Sequence, residues 1–514
     1  SGLIARLDPS AEEEVLLAAA LVSQKSFLGE TCLNLNDIAE TPVLFDDDNR
    51  VVSAPVLSTW VSALRKSTVV GAINMRRPLV LETDNRLYLY RYRNLEERLA
   101  IILRSRAEAE DFPVDAVQMT RALDRVFPDP ASSLEQKEAA ALVLQRPLTV
   151  ISGGPGTGKS STVLCILALL KELDIVASDR IALSAPTGKA AARLQEAVGQ
   201  ASSRLELNDN SLNVRVITLH RLLGWRRHGR TPIYGLTKKV PYDLVIVDEA
   251  SMVGLSLMTQ LLESLLPTCR LVLLGDQNQL SSVEAGTVFR DICRSAKAKP
   301  MADSVAVLKQ SWRFPKESHI GRFAFSVNSG DTKSACKKLS DHGQSEVILR
   351  MMSSTDDLSR LLEERCLNIF SERLAMVAQS APLQEIIDTF YKVQLLTVQR
   401  SGIGGVNMLN RLITNQLSHR ALIPTDAMFY PGRPILITQN KYDLELFNGD
   451  VGIVLADSKS NRLKTVFSRT KTEFLSVNSE QLPQHETMYA MTVHKSQGSE
   501  FEHVIVVLPP TTSP

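Results

Sequence analysis

The chain has 514 residues, 44% hydrophobic and 22% charged, with a formal net charge of +1. That length exceeds a single core and predicts roughly three to four domains, while the composition is that of an ordinary globular protein. A net charge this small excludes a global basic field for nucleic acid, so any such surface must be a local groove offset by acidic faces elsewhere.

Cys32, Cys165, Cys269, Cys293, Cys336 and Cys366 are scattered, without a C-x-x-C pair or a histidine cluster at zinc spacing, which suggests a reducing compartment. The apolar run Val163 to Leu170 falls well short of the ~20 residues a membrane helix needs, and no basic-then-apolar signal opens the chain. A cytoplasmic protein without a membrane partner is expected. The chain starts at Ser1 and stops at Pro514 directly after a strand, so both ends are expected to be cut relative to a longer parent.

Ser10 and Glu13 have the spacing of a capping box and predict a helix through about Val22, closed near Gly29 and followed by a strand over Thr31 to Leu35. Leu79 to Leu81 and Leu87 to Tyr92 flank Thr83-Asp-Asn-Arg86 as the arms of a hairpin, and helical periodicity resumes over Leu95 to Ser105. Tyr88, Tyr90 and Tyr92 alternate on one face of the second arm, an arrangement more often used for packing than for binding. Pro113 and Pro128-Asp-Pro130 mark a boundary.

From Ser132 onward helices and strands alternate, which implies a parallel sheet covered by helices. Gln136 precedes the strand Thr149 to Ile151, and its side-chain amide is either a reader of an adenine edge or solvated surface. Gly153, Gly154, Gly156, Thr157, Gly158, Lys159, Ser160 and Ser161 follow that strand and open the helix Val163 to Leu173, the full context of a phosphate-binding loop. Glycines let backbone N–H groups turn inward around a polyanion at a helix N-terminus. Lys159 would reach the β- and γ-phosphates of a nucleotide and Ser160 would hold Mg²⁺.

The strand Arg180 to Ser184 runs into Thr187-Gly-Lys189, which places a hydroxyl and a cation at a strand's carboxyl end, where a phosphate could be gripped. Val245-Ile-Val-Asp-Glu249 is an apolar strand ending in two acids, costly there without a cation or solvent. Asp248 would hold Mg²⁺ and Glu249 would orient and deprotonate an attacking water. Leu271 to Leu274 leads into Gly275-Asp-Gln-Asn-Gln279, where Gln279 is a candidate sensor of the γ-phosphate, and Gln310-Ser-Trp-Arg-Phe314 offers Arg313 as a donor for a terminal phosphate or as half of a surface pair.

The ordered set Gly-Gly-Pro-Gly-Thr-Gly-Lys-Ser, Ala-Pro-Thr-Gly-Lys-Ala, Asp-Glu-Ala-Ser, Gly-Asp-x-x-Gln, Trp-Arg-Phe and Thr-Val-His-Lys-Ser-Gln-Gly-Ser-Glu resembles superfamily 1 DNA helicases, and within them the RecD-like alpha subunits of exonuclease V. The motifs cover about residues 130 to 510, with a fainter likeness over Leu79 to Ala100. The resemblance implies an α/β protein with two RecA-like motor domains, a small helical and β N-terminal domain and an SH3-like all-β insertion. It places an N-terminal partner-contact domain at 1–118, the first motor domain at 119–295, the second at 296–410 with its return segment at 486–514, and the insertion at 411–485.

It further implies that Gln136 reads adenine, Arg313 contacts the γ-phosphate, Glu500 lies near the ribose, and Thr187, Lys189, His220, Thr492 and His494 line a track for single-stranded DNA. In this family a second arginine follows the final strand, and the chain stops at Pro514 before such a segment. The basic, turn-rich stretches Gly224 to Arg230 and Tyr234 to Val240 resemble a small pin inserted in the first motor domain, or are a solvated loop. Pro434 to Thr438, Phe447-Asn-Gly-Asp450, Val451 to Leu455 and Lys464 to Phe467 supply the short strands and Asn-Gly turn of the insertion.

The implied activity is ATP- and Mg²⁺-dependent translocation on single-stranded DNA or from DNA ends, of 5′ to 3′ polarity, in double-strand break repair and recombination. Residues 1 to 130 lack the glycine-marked hairpins of stand-alone relatives, which favours a subunit working with RecB-like and RecC-like partners in a helicase-nuclease. A stand-alone helicase and a non-hydrolysing assembly subunit are the alternatives.

Overall fold

This computed structural model describes residues 2–45, 50–128, 130–204, 214–225, 231–280, 284–312, 318–340, 346–352, 354–425, 427–457, 462–469 and 473–509. The chain divides into two compact units, Ser1–Ala182 with Asn213–Arg215 and Leu219–Gln310, and Leu183–Leu212 with Val216–Thr218 and Ser311–Pro514.

The first unit opens with a small module. Its strands are β1 (Cys32–Asn34), β2 (Pro42–Phe45), β3 (Arg50–Ser53), β4 (Val70–Gly71), β5 (Leu79–Leu81) and β6 (Arg86–Leu89). β2 and β3 form a hairpin, and the others form a sheet in the order β1-β6-β5-β4. The expected hairpin is present, with Leu79 opposite Leu89 and Leu81 opposite Leu87. The helices Glu13–Phe27 and Leu57–Lys66 close this sheet over Trp60, Leu33, Leu35, Leu64 and Leu87, all buried. Trp60 is held in orientation because its indole N–H donates to the Glu14 carbonyl at 2.8 Å.

Two local expectations fail here. The helix begins at Glu13 with Glu12 as N-cap and no side-chain cap, so the Ser10 capping box does not form. Ser10 instead donates its hydroxyl to Asp8 at 2.7 Å, because an ionised carboxylate is a stronger local acceptor than anything at the helix entrance. The tyrosine strip is also broken, since β6 ends at Leu89 and Tyr90 and Tyr92 lie in the helix Tyr90–Glu108. Three alternating tyrosines suit a strand, but the amphipathic run that follows takes the last two into its first turn.

Beyond the module lies a six-stranded sheet of β7 (Leu148–Gly153), β8 (Ile181–Ala185), β9 (Arg215–Thr218), β10 (Leu244–Val247), β11 (Arg270–Gly275) and β12 (Val305–Leu308), ordered β12-β7-β11-β10-β8-β9. The pairs β12–β7, β7–β11 and β11–β10 run parallel. β7, β10 and β11 are buried along their whole length, which is why they read as continuous apolar runs rather than alternating ones.

The second unit carries helices over most of residues 319 to 392, then β13 (Val393–Thr397), β14 (Pro434–Ile437), β15 (Val451–Ala456), β16 (Leu463–Ser468), β17 (Phe474–Asn478), β18 (His485–Thr487), β19 (Ala490–Thr492) and β20 (His503–Val507). β13 lies between β19 and β20 and is parallel to both. The others form an antiparallel sheet, β17-β16-β15-β14-β18, around Ile435, Ile437, Val454 and Phe467. β17 and β18 were not expected from the sequence, because their burial is partial and their apolar signal correspondingly weak. The α/β class with parallel sheets and an all-β segment is as expected.

Asp8 ties the start of the module to its middle. One carboxylate oxygen accepts from the Ser67 hydroxyl at 2.9 Å and the Thr68 amide at 3.2 Å, and the other accepts from Ser10. The Ser10 and Ser67 hydrogen bonds lower its pKa to about 2. Because the folded value lies below the ordinary value of 3.8, its contribution is complete above pH ~4 and is lost as pH falls toward 2. Asp8→Asn should therefore lower the melting temperature at pH 7 and flatten the acid limb of the stability profile, as read by circular dichroism melts between pH 2 and 7.

Candidate functional site

The loop after β7 turns at Gly156 and Gly158, both at positive φ, and the helix Lys159–Glu172 begins at once. Thr157 folds back on the loop, its hydroxyl donating to the Gly154 carbonyl at 2.9 Å, and Gln136 donates to the Thr157 carbonyl at 3.2 Å. Gln136 is thus seated against the loop itself. Lys159 donates to the carbonyls of Gly153 at 2.5 Å and Gly154 at 3.0 Å, while Ser160 and Ser161 are exposed at the helix start. A concave turn of glycines with a lysine folded across its mouth suits a polyphosphate, toward which the helix end directs unpaired N–H groups.

The neighbouring strands bring acids to the same edge. Asp248 follows β10, and one of its carboxylate oxygens accepts from the Glu249 amide at 2.9 Å. Glu249 adopts the left-handed conformation, φ 52°, as the chain leaves the strand for a short 3₁₀ turn over Ala250–Met252. A non-glycine residue there is strained, a feature that clusters at functional sites. Asp276 follows β11 directly and is buried, with a carboxylate oxygen accepting from the Asn278 amide at 2.9 Å. Burial pushes the pKa of both Asp248 and Asp276 up, and the Lys159 charge pulls each partly back.

The loop after Asp276 is held from behind by Arg290, which donates to the carbonyls of Gln277 and Gln279, each at 3.0 Å. Gln279 accepts a long bond, 3.5 Å, from the Ser251 hydroxyl. Asp276 and Arg290 are parts of this site that sequence reasoning passed over. Asp276 stood in plain view between Gly275 and Gln279, whereas Arg290 lies on the helix Val288–Ser295 and carries no motif signal.

Elsewhere in the first unit, His220 is exposed on the short helix Leu219–Leu222, its ring 6.1 Å from that of Trp225. Of the pin candidate, residues 226–230 lie outside the described residues, and 231–240 form turns closed by bonds such as the Gly235 amide to the Lys238 carbonyl, 2.8 Å. Arg313 also lies outside the described residues.

In the second unit, Thr187 accepts from the Ala190 amide at 3.2 Å and so caps the helix Gly188–Arg204. Lys189 donates to the Ser499 hydroxyl, and burial together with Arg193 lowers its pKa to about 8. Gly188 lies against the Phe447 ring, where an added Cβ would come within 3.0 Å. Thr492 ends β19 beside Thr397 of β13, while His494 and Glu500 are exposed. The sequence's DNA candidates are therefore distributed over both units, and Lys189, Thr187 and the Ser499 segment share the second.

The family of RecBCD enzyme subunit RecD N-terminal domains matches residues 1–88, the AAA domain family residues 131–348, and the UvrD-like helicase C-terminal domain family residues 487–514. The RecBCD enzyme subunit RecD of Mycolicibacterium smegmatis is 36% identical over 98% of this chain and 85% of its own length. That of Haemophilus influenzae is 29% identical over 97% and 86%. The ATP-dependent RecD2 DNA helicase of Deinococcus radiodurans is 29% identical over 83% of this chain but 52% of its own length.

Gly158, at φ 84°, admits a side chain only with strain of roughly 1–2 kcal/mol. Gly158→Ala should weaken binding of a fluescent-labelled ATP analogue about tenfold if that strain is relieved by rearranging the loop. Equilibrium titration measures this, and unchanged affinity would mean that the loop tolerates the side chain in place.

Proposed function

The chain belongs to the family of RecD subunits of RecBCD enzymes, and we propose that it is an ATP-dependent DNA helicase acting with RecB-like and RecC-like subunits in a helicase-nuclease. Its work is translocation on single-stranded DNA from DNA ends, 5′ to 3′, in double-strand break repair and recombination. The observation that carries this reading is Lys159 folded across the loop after β7, with Asp276 and Asp248 at the ends of the next two strands.

The residues fit a nucleotide with its metal. Asp248 is half-buried and desolvation disfavours its ionised form, a condition that a divalent cation would relieve; Mg²⁺ would be held by Asp248 and Ser160, and it would neutralise charge on the phosphates. Gly153, Gly154, Gly156, Thr157, Gly158 and Ser161 form the cradle for the phosphates. Lys159 exchanges its bonds to the Gly153 and Gly154 carbonyls for phosphate oxygens. Glu249 orients the attacking water and takes its proton, Gln279 senses the terminal phosphate, and Gln136, bonded to the loop, reads the base edge.

Arg313 is assigned to the terminal phosphate and Glu500 to the ribose on their motifs alone. Thr187, Lys189, His220, Thr492 and His494 are assigned to the DNA track, where contacts to phosphate give grip without sequence preference. Among the described residues no helix is long and apolar enough to cross a membrane. We place the protein in the cytoplasm on its likeness to the RecD subunits of RecBCD enzymes.

A stand-alone RecD2-type helicase fits less well, since the Deinococcus relative is 29% identical over 83% of this chain against 36% over 98% for the Mycolicibacterium subunit, and residues 1–88 match the RecD N-terminal domain. A non-hydrolysing subunit would have no physical need for Lys159, Asp248 and Glu249 together.

Steady-state ATPase assays with and without single-stranded DNA test the assignment. Lys159→Ala should abolish DNA-stimulated hydrolysis with the fold intact, and Glu249→Gln should retain bound ATP while turnover falls about 100-fold or more. Near wild-type turnover in both variants would sink it. Binding to mixed and homopolymer strands should be similar and should weaken steeply between 50 and 200 mM salt, roughly as the number of phosphates neutralised, with fluorescence anisotropy as the measure.

A further inference from the structure

We infer that the N-terminal module braces the nucleotide site, and that Arg106 is the positioning residue that fixes β11 and, through it, β7. The inference rests on the reading of the loop after β7 as a nucleotide site.

Arg106 lies near the end of the helix Tyr90–Glu108 and is 6% exposed. Burial lowers its pKa, and no carboxylate pairs with it among the described residues. Its guanidinium instead donates to the carbonyls of Leu266 at 2.7 Å and Cys269 at 2.8 Å, which form the turn between the helix Leu255–Ser264 and β11. A buried cation without a counter-ion is costly, and apolar residues would cover this turn as well. What the planar fork adds is direction: two hydrogen bonds fix where β11 begins along its own axis, which non-directional apolar packing does not.

The next residue continues the same connection. Arg270, the first residue of β11, is buried with its guanidinium 3.7 Å from the centre of the Phe112 ring and a long bond, 3.4 Å, to the Leu144 carbonyl. Phe112 in turn donates its amide to the Gln145 carbonyl at 2.7 Å, and Asp111 pairs with Arg146 at 3.2 Å. Leu144, Gln145 and Arg146 lead into β7, and the Leu271 amide donates to the Pro147 carbonyl at 3.0 Å.

The entries of β7 and β11 are therefore tied both to each other and to residues 106–112. From there the two strands run in register from Leu148 opposite Leu271 to Ser152 opposite Gly275. Any slip at the entry is carried along this ladder to Gly153 and Asp276. Apolar contact holds the strands in the sheet, while the brace sets where their far ends stop.

Coupling of this kind is reciprocal: if the brace strengthens nucleotide binding, bound nucleotide must strengthen the brace by the same factor. The test uses the full chain, a fluorescent ATP analogue and temperatures well below unfolding. Arg106→Lys, which keeps the charge but not the fork, should weaken the analogue about tenfold and raise KM for ATP more than it lowers kcat. Arg98→Ala breaks the Arg98–Glu263 pair, which joins the same two helices without bonding to the Leu266–Cys269 turn, and should lower the melting temperature with affinity within about twofold.

Lys159→Ala is the control for the underlying reading. If it loses affinity while Arg106→Lys keeps wild-type affinity and KM, the brace is overturned and the nucleotide site stands. If Lys159→Ala keeps affinity, both fall. Should Arg106→Lys not fold, hydrogen exchange of the wild-type protein decides: the analogue should slow exchange at the amides of Phe112, Arg270 and Leu271, and unchanged exchange at all three overturns the brace.

Discussion

Two carboxyl groups, Asp276 buried and Asp248 half-buried, beside one lysine at the edge of a parallel sheet impose most of what the first unit has to do. Asp248 and Asp276 follow neighbouring strands, and burial disfavours the ionised form of each. Lys159 offsets this only in part while it is engaged with the carbonyls of its own loop. Such an edge suits an ionic ligand: a phosphate would draw the lysine away and a cation would compensate the acids. The arrangement works only if the three strand ends stay level, because electrostatic effects at low dielectric change steeply with distance. Arg290 behind the Asp276 loop and the ties at the strand entries then act on one quantity, the position of the strand ends.

The second unit meets a similar demand by steric means. Gly188 leaves room for the Phe447 ring, and the Asn448-Gly449 turn beside that ring is closed by Asp450, whose carboxylate accepts from the Phe447 amide at 2.9 Å and pairs with Arg469 at 3.0 Å. The antiparallel sheet is in this way fastened to the Thr187–Lys189 loop. Lys189 is half-buried, with a pKa of about 8, and its hydrogen bond to Ser499 joins two motifs far apart in sequence. A cation so placed is cheaper to redirect toward phosphate than one held by a carboxylate, since only a neutral hydroxyl is given up.

How much was legible in the sequence depended on whether the signal was local. The phosphate loop is a contiguous pattern in which each residue has a backbone or charge reason, and the strand, turn and helix stand where that pattern requires. The apolar runs of β10 and β11 were equally plain. Ser10 failed as a cap because Asp8 competes for its hydroxyl, while a true capping box formed unannounced at Ser354 and Asp357. Tyr90 and Tyr92 failed as strand residues because periodicity over three positions cannot outweigh the helical run after them. Arg290 and Arg106 were illegible for a different reason: each acts on carbonyl groups, which every residue has, so nothing at the other end of the interaction marks it.

The matched RecD N-terminal domain ends at residue 88 and the matched AAA domain begins at 131, so the helix bearing Arg98 and Arg106 falls between them. Yet this intervening helix packs on the helix Leu255–Ser264 and hydrogen-bonds to the turn before β11. A second tie, from the Gly286 amide to the Gly29 carbonyl at 3.0 Å, joins the module to the chain that follows the Asp276 loop. Two family domains are therefore joined both directly and through the stretch that neither describes. A surface that binds another subunit through the module would be attached, by directional bonds rather than by a flexible linker, to the strands that end at the proposed nucleotide site.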